Sequence, residues 1–335
     1  MIKIMIYYSC MFLERKITNF VEIREILLDN NVILFLDTNI VIDLYDLLRN
    51  PIKYKNTNGS KELIDFAKFK IENNINFYPL TGIWESNKLI NNNILKEKRQ
   101  NIMKETLINY LNTDLLTFFK HINSNIIISE ENYSLQYPNS NIRLIFTNDE
   151  IKEILLLKYC CLLKLYLLLM EEENYLTRIK LFIDYLFDDI GINDVGSFIV
   201  ALKINNSKNR KLFFHKMEPK YPKIIKNIFS ASFDLSIIEY SHSVYKDIFC
   251  PIFVTKDKIL YEICETMKIV SFQNNFPIKK INFSSENYNE EIFNYYLIRS
   301  NKRLKKNETT EFLWSKAKNL EGEIFEKSKK WANFA

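Results

Sequence analysis

The stretch VILFLDTNIV, Val32 to Val41, constrains this chain more than any other. Five apolar residues run without a polar break into Asp37. A strand with one face in water would alternate. A continuous run predicts a strand covered on both faces, as in parallel sheets flanked by helices. Apolar spacing then resumes: over Ile40 to Arg49, Val41, Leu44, Leu47 and Leu48 share one side of a helix. The unit buries nearly everything except a carboxylate at the end of its strand.

The same texture continues to about residue 90. KYKNTNGS (Lys53 to Ser60) is a polar loop, and Ser60 is placed to cap a helix over Lys61 to Glu72. INFYPL (Ile75 to Leu80) alternates like a strand, and Thr81 follows it as a cap for a helix carrying Trp84, Glu85 and Leu89. It returns late in the chain. Ala231 to Tyr245 reads as a helix, IFVT (Ile252 to Thr255) as a strand, Ile259 to Met267 as a helix and KIVSF (Lys268 to Phe272) as a strand. Between them helical periods dominate, over Ile102 to Ile122, Asp149 to Glu172 and Asn174 to Phe187. The expected organisation is a discontinuous α/β core (1–90 with 228–275), a mainly helical insertion (91–227) and a C-terminal extension (276–335). The extension holds the basic run NKRLKKN and an amphipathic helix over Thr310 to Trp331. Phe12 to Asn30 reads as a further amphipathic helix.

Composition narrows the function. The chain has 335 residues, 47% of them hydrophobic, enough for a sizeable core and against global disorder. Only 5 Gly are present and neither Gly-rich phosphate-loop pattern occurs, which disfavours nucleotide-binding loops of that kind. The net charge of +5 permits a nucleic-acid partner without demanding one. Five cysteines form no CxxC pair, consistent with reduced thiols in a cytoplasm. The three histidines are too scattered for zinc spacing. ILLLKYCCLLKLYLLLM (Ile154 to Met170) is the most apolar run, but it is short for a membrane span and carries Lys158 and Lys164. A buried helix, and no membrane partner, is expected. The apolar N-terminus lacks a small-residue cleavage site and reads as a first strand or buried segment.

Two strands end alike: VILFLDTN in Asp37, and IFVTKD in Asp257, two residues after Thr255. Ligands of open parallel sheets bind outside the carboxyl ends of the strands. If these two strands are neighbours, ~4.8 Å apart, both carboxylates converge. Glu85, after INFYPL, and Asp234, in the helix before IFVT, can face the same edge. Four carboxylates gathered without a counter-charge repel one another, and a divalent cation relieves that cost. Oxygen donors select a hard ion, Mg²⁺ or Mn²⁺. Such a site suits phosphodiester hydrolysis. Each acid also has a plainer reading. Asp37, Asp234 and Asp257 are placed to cap helices or turns, and Glu85 to sit on an exposed helix face. Asp43 faces either the site or solvent.

With Glu85 after a short strand and Asp234 before the second, VILFLDTNIVID and FVTKD resemble the PIN-domain metal-dependent nucleases. The resemblance covers 32–90 and 229–272. It implies a three-layer α/β fold with a central parallel sheet, bound Mg²⁺ or Mn²⁺, and cleavage of RNA. It implies Asp37 as first acid and central metal ligand, then Glu85, Asp234 and Asp257, with Thr38, Asn39 and Thr255 supporting them. The separation of 149 positions between Glu85 and Asp234 departs from a minimal member of that family. Asp194 is therefore a rival third acid, and Glu239 a weaker one. Lys256 is placed to steady a substrate phosphate. So are Arg210 and Lys211, in the basic–aromatic segment from Lys203 to Lys226. The leading expectation is a cytoplasmic endoribonuclease, a toxin or defence effector, with an antitoxin or other regulatory protein as partner and self-association open. The alternatives are an inactive PIN-like scaffold for RNA or protein, and a DNA-directed nuclease. A haloacid-dehalogenase-type phosphatase would need a second Asp where Asn39 stands.

Overall fold

The computed structural model describes residues 5–8, 32–57, 59–79, 82–83, 93–128, 148–204, 221–244, 250–273, 276–281, 289–300 and 309–332. The protein is mostly helical around a small sheet. The first elements are β1 (Met5–Tyr8), β2 (Val32–Leu36), α1 (Thr38–Arg49), α2 (Pro51–Tyr54), α3 (Ser60–Glu72), β3 (Asn76–Tyr78), α4 (Asn93–Leu111) and α5 (Leu115–Ile122). Then come α6 (Asn148–Glu171), α7 (Tyr175–Asp184) running into a π-helical turn (Tyr185–Ile190), α8 (Val195–Ile204) and α9 (Tyr221–Val244). The rest is β4 (Cys250–Thr255), α10 (Lys258–Thr266), β5 (Met267–Gln273), β6 (Phe276–Ile281), α11 (Glu290–Ser300) and α12 (Thr310–Ala332).

The strand order is β1-β4-β2-β3. β4, β2 and β3 run parallel, and β1 is antiparallel on the β4 edge. The two strands that end alike in sequence therefore lie side by side, with Leu36 opposite Val254. The central strand is buried on both faces, as its unbroken apolar run predicts. Leu34, Leu36, Ile252 and Val254 pack into one cluster with Ile40, Leu44, Phe66, Ile102 and Phe118 from the covering helices. Ile33, Phe35 and Phe253, on the opposite side, are buried as well.

The chain divides into two compact units, 1–144 with 241–261 and 145–240 with 262–335. The first holds the sheet, α1 to α5 and the start of α10. These boundaries differ from the expected ones: 91–144 joins the sheet-bearing unit, and 228–240 and 262–275, expected in the core, fall in the second unit with 276–335. α4 and α5, expected in the insertion, pack on α1 and α3 in the sheet-bearing unit. The tail helix α12 lies in the second unit, against α6. The reason is burial. From Leu155 to Leu168 α6 is buried nearly all round, so it needs apolar cover on several sides. α12 supplies some of it through Leu313, Ala317, Leu320 and Ile324. Tyr159 Oη also donates to Glu321 Oε1 at 2.7 Å. Among the described residues no helix is long and apolar enough to cross a membrane.

Several local expectations are corrected. The helix expected over Ile102 to Ile122 breaks at Asn112–Asp114, where Asp114 caps α5 by accepting from Thr117 N–H at 2.9 Å. Ser60 does not cap α3. Gly59 holds the cap position at φ 93°, a left-handed conformation that suits glycine, and the Ser60 hydroxyl donates to the Lys55 and Thr57 carbonyls. β5 does not join the main sheet. It forms an antiparallel pair with β6, a strand that its Pro and Lys content hides. The helix expected over Phe12 to Asn30 lies outside the described residues.

Candidate active site at the carboxyl edge of the sheet

Asp37 leaves the end of β2 and stands at the N-cap position of α1. Its backbone N–H extends the ladder to the Val254 carbonyl at 3.0 Å, and its carbonyl receives the first helical bond, from Val41 N–H. Its carboxylate makes no capping bond to α1. Elsewhere the chain uses such side chains as caps: Asn50, Asp114 and Asn174 each accept from the helix they precede. The helix-cap reading of Asp37 thus does not hold.

The carboxylate turns instead to the neighbouring strand. Thr255 Oγ1 donates to Asp37 Oδ2 at 2.7 Å, and both residues are buried, Asp37 to 1% exposure. This bond crosses 218 residues of sequence. It follows from the register, which sets the residues after Leu36 and Val254 beside each other. The same hydroxyl accepts from Asp257 N–H at 2.9 Å, so Thr255 joins the backbone of one acid to the carboxylate of the other. The N-terminal end of α1 adds a partial positive charge beside Asp37, which favours a carboxylate there.

Asp257 is brought to this edge, but its side chain has another task. Its Oδ1 accepts from Leu260 N–H at 3.1 Å and its carbonyl from Tyr261 N–H, so it caps α10. The cap reading thus accounts for one carboxylate oxygen of Asp257. Thr38 is buried in the first turn of α1, and Asn39 is exposed. Gly82, beyond β3, closes in on that turn. A Cβ on Gly82 would lie 2.7 Å from Val41 Cγ2 and 3.1 Å from Thr38 Cα, so only glycine fits without displacement. Glu85, three residues on, lies outside the described residues, as do Arg210 and Lys211. Asp234 belongs to the second unit, half-buried on α9.

The rival third acids are also accounted for in the second unit. Lys158, 1% exposed within the apolar α6, pairs with Asp194 Oδ1 at 2.5 Å and with Glu239 Oε2. Burial pushes its ammonium down, but the two carboxylates more than offset this and hold it above the ordinary lysine value. Ser197 Oγ donates to the other Asp194 oxygen at 2.6 Å. Asp194 and Glu239 thus act as counter-charges for a buried lysine, which corrects the reading of Asp194 as a metal ligand.

Sequence reasoning missed one pairing at the edge. Lys256 forms an ion pair with Asp43 Oδ2 of α1, which both had been read without a partner. The signal was present in the order Thr255-Lys256-Asp257. That order puts the backbone of a lysine at the edge, within a side chain's reach of α1.

The donors at this edge, carboxylate oxygens beside a hydroxyl, have the chemistry a hard cation prefers. Their number falls short: among the described residues no three His, Cys, Asp or Glu come together as a metal-holding group. No family model, no curated protein and no solved structure matches the chain.

Proposed function

We propose that this chain is a metal-dependent endoribonuclease of the PIN-like kind, acting at the carboxyl edge of its parallel sheet. One observation carries the reading. Asp37, buried at the end of the central strand, directs its carboxylate not to its own helix but to Thr255 of the adjacent strand. Burying a carboxylate is costly, and a cap could be made by an exposed Asp or Asn. A costly carboxylate at the edge where parallel sheets bind ligands is more readily explained by chemistry than by stability.

A bound Mg²⁺ or Mn²⁺ would supply an acidified water and neutralise charge on the phosphoryl oxygen. Asp37, with Glu85 and Asp257, would hold it, so at least one donor would come from outside the described residues. The chain's own contribution is positioning. The Thr255 hydroxyl fixes the orientation of the Asp37 carboxylate, and the sheet ladder fixes the backbones of both. Gly82 lets the segment leading to Glu85 approach the first turn of α1. The same resemblance supports a toxin or defence role with a regulatory protein partner, and RNA as the substrate.

A second reading, a PIN-like scaffold that binds without cutting, is favoured by the use of the Asp257 carboxylate as a cap. The deciding experiment compares wild type with Asp37→Asn on single-stranded RNA and DNA, with Mg²⁺ or Mn²⁺ and with a chelator. RNA cleavage that needs the metal and disappears in Asp37→Asn, with an unchanged circular dichroism spectrum, is the expected outcome. Binding of RNA by wild type without cleavage supports the scaffold. Cleavage at the same rate in Asp37→Asn sinks the assignment of the site.

A further inference from the structure

The geometry points to Lys256 as the residue that grips a backbone phosphate of single-stranded nucleic acid at this edge, with Asp43 holding its ammonium in place until the phosphate takes it over. The inference rests on the nuclease reading and adds a substrate contact to it.

Lys256 lies between two residues whose positions the edge fixes. Thr255 is bonded to Asp37, and Asp257 to Thr255. Its backbone therefore has little freedom, and its side chain reaches along α1 to Asp43, at the second turn of that helix. The two partners differ in exposure. The Lys256 side chain is 10% exposed, its stem packed away, whereas the Asp43 side chain is 40% exposed. The pair is thus open to water on its acid side. The carboxylate half of the pair is therefore the half that solvent ions reach. A phosphate arriving from solvent meets the carboxylate first and can displace it from the ammonium.

A cation at this edge would offset the repulsion between its acids and a polyanion. Asp37, Asp43 and Asp257 are acids, and a polyanion approaching them is repelled. Other cations of this unit are engaged elsewhere: Lys70 Nζ donates to the Leu111 carbonyl and Arg49 Nε to the Ile128 carbonyl. Lys256 stands in the chain between Thr255 and Asp257, and its ion pair with Asp43 of α1 keeps its ammonium at this edge. A lysine acts on phosphate as a compact point charge, suited to a backbone contact that does not read sequence.

The test uses the full chain carrying Asp37→Asn, which is expected to bind without cutting, and a fluorescein-labelled oligouridylate. Anisotropy is measured over a range of KCl concentrations. Lys256→Met should weaken binding about tenfold at low salt and reduce the slope of log K against log salt by about 0.7, the loss of one phosphate contact on a single strand. Lys256→Arg should keep the slope. Asp43→Asn, at a half-exposed position, should tighten binding several-fold, because it releases the ammonium and removes a repelling charge. An unchanged slope in Lys256→Met, or unchanged or weaker binding in Asp43→Asn, overturns the inference. A merely structural ion pair would move melting temperature without moving the salt slope. If the Asp37→Asn chain still cuts RNA, the nuclease assignment fails. If it binds RNA with a slope independent of Lys256, the phosphate grip fails alone.

Discussion

Thr255→Val removes one oxygen and almost no volume, so it isolates what the hydroxyl does. In the wild type that oxygen donates to Asp37 Oδ2 at 2.7 Å and accepts from Asp257 N–H at 2.9 Å, in a fully buried position. A hydrogen bond to a charged group contributes about 1.5–3 kcal/mol, and a neutral one about 1 kcal/mol. The valine variant should lose roughly 3 kcal/mol, mainly because a buried carboxylate is left with one donor fewer. For a unit of this size that corresponds to a fall of roughly 6–12 °C in Tm. Urea unfolding followed by circular dichroism at neutral pH measures the loss, and Thr255→Ser, which keeps the hydroxyl, should recover most of it. The cause can be separated in an Asp37→Ala background. There Thr255→Val should cost only about 1 kcal/mol, the part due to the Asp257 amide, which leaves a coupling of about 2 kcal/mol between the two sites. A valine variant as stable as wild type, or one equally destabilised with and without Asp37, would refute the bridge between the strands.

Two further perturbations probe the buried lysines. Lys70 is buried, donates to the Leu111 carbonyl at 2.6 Å and to Asn112 Oδ1 at 2.5 Å, and burial pushes its amine down to about 8. The unfolded chain holds an ordinary lysine, so between about pH 8 and 10.5 it binds more protons than the folded one. Stability should therefore rise with pH across that window, by up to ~3 kcal/mol, and stay level below it. Urea midpoints at several pH values should show this rise, and Lys70→Met should flatten it; a fall with pH would contradict the sign. In the second unit, Lys158→Met should cost about 3–5 kcal/mol, because it leaves Asp194 and Glu239 without their shared cation. Adding Asp194→Asn should restore part of the loss in chemical denaturation, and a further loss instead would show that Asp194 is held by something other than the lysine.

The parts of the fold legible in sequence are those set by local periodicity. The unbroken run of Val32 to Leu36 specified a strand buried on both faces, and α1 followed from spacing alone. The like endings of β2 and β4 raised their adjacency only as a condition, and the register meets it. What escaped depends on partners far away in the chain. Nothing local states that β5 pairs with β6 rather than with the main sheet, or that α12 covers α6.

The acids divide in the same way. Asp37 and Asp257 look alike in sequence, each at a strand end before a helix. The partner of each carboxylate separates them: Asp37 turns across the sheet to Thr255, 218 residues away, and Asp257 caps its own helix at Leu260. Asp194 and Glu239 were misread for want of one step that the sequence did allow. A lysine within ILLLKYCCLLKLYLLLM is expected to be buried, and a buried ammonium requires carboxylates from elsewhere. The second unit supplies two of them to Lys158. Counting acids at a site is therefore sound only after the buried cations have been assigned theirs. With Asp194 and Glu239 given to Lys158 and Asp43 to Lys256, Asp37 is the acid whose carboxylate crosses the sheet to the adjacent strand instead of capping its own helix. The proposed chemistry is therefore centred on Asp37.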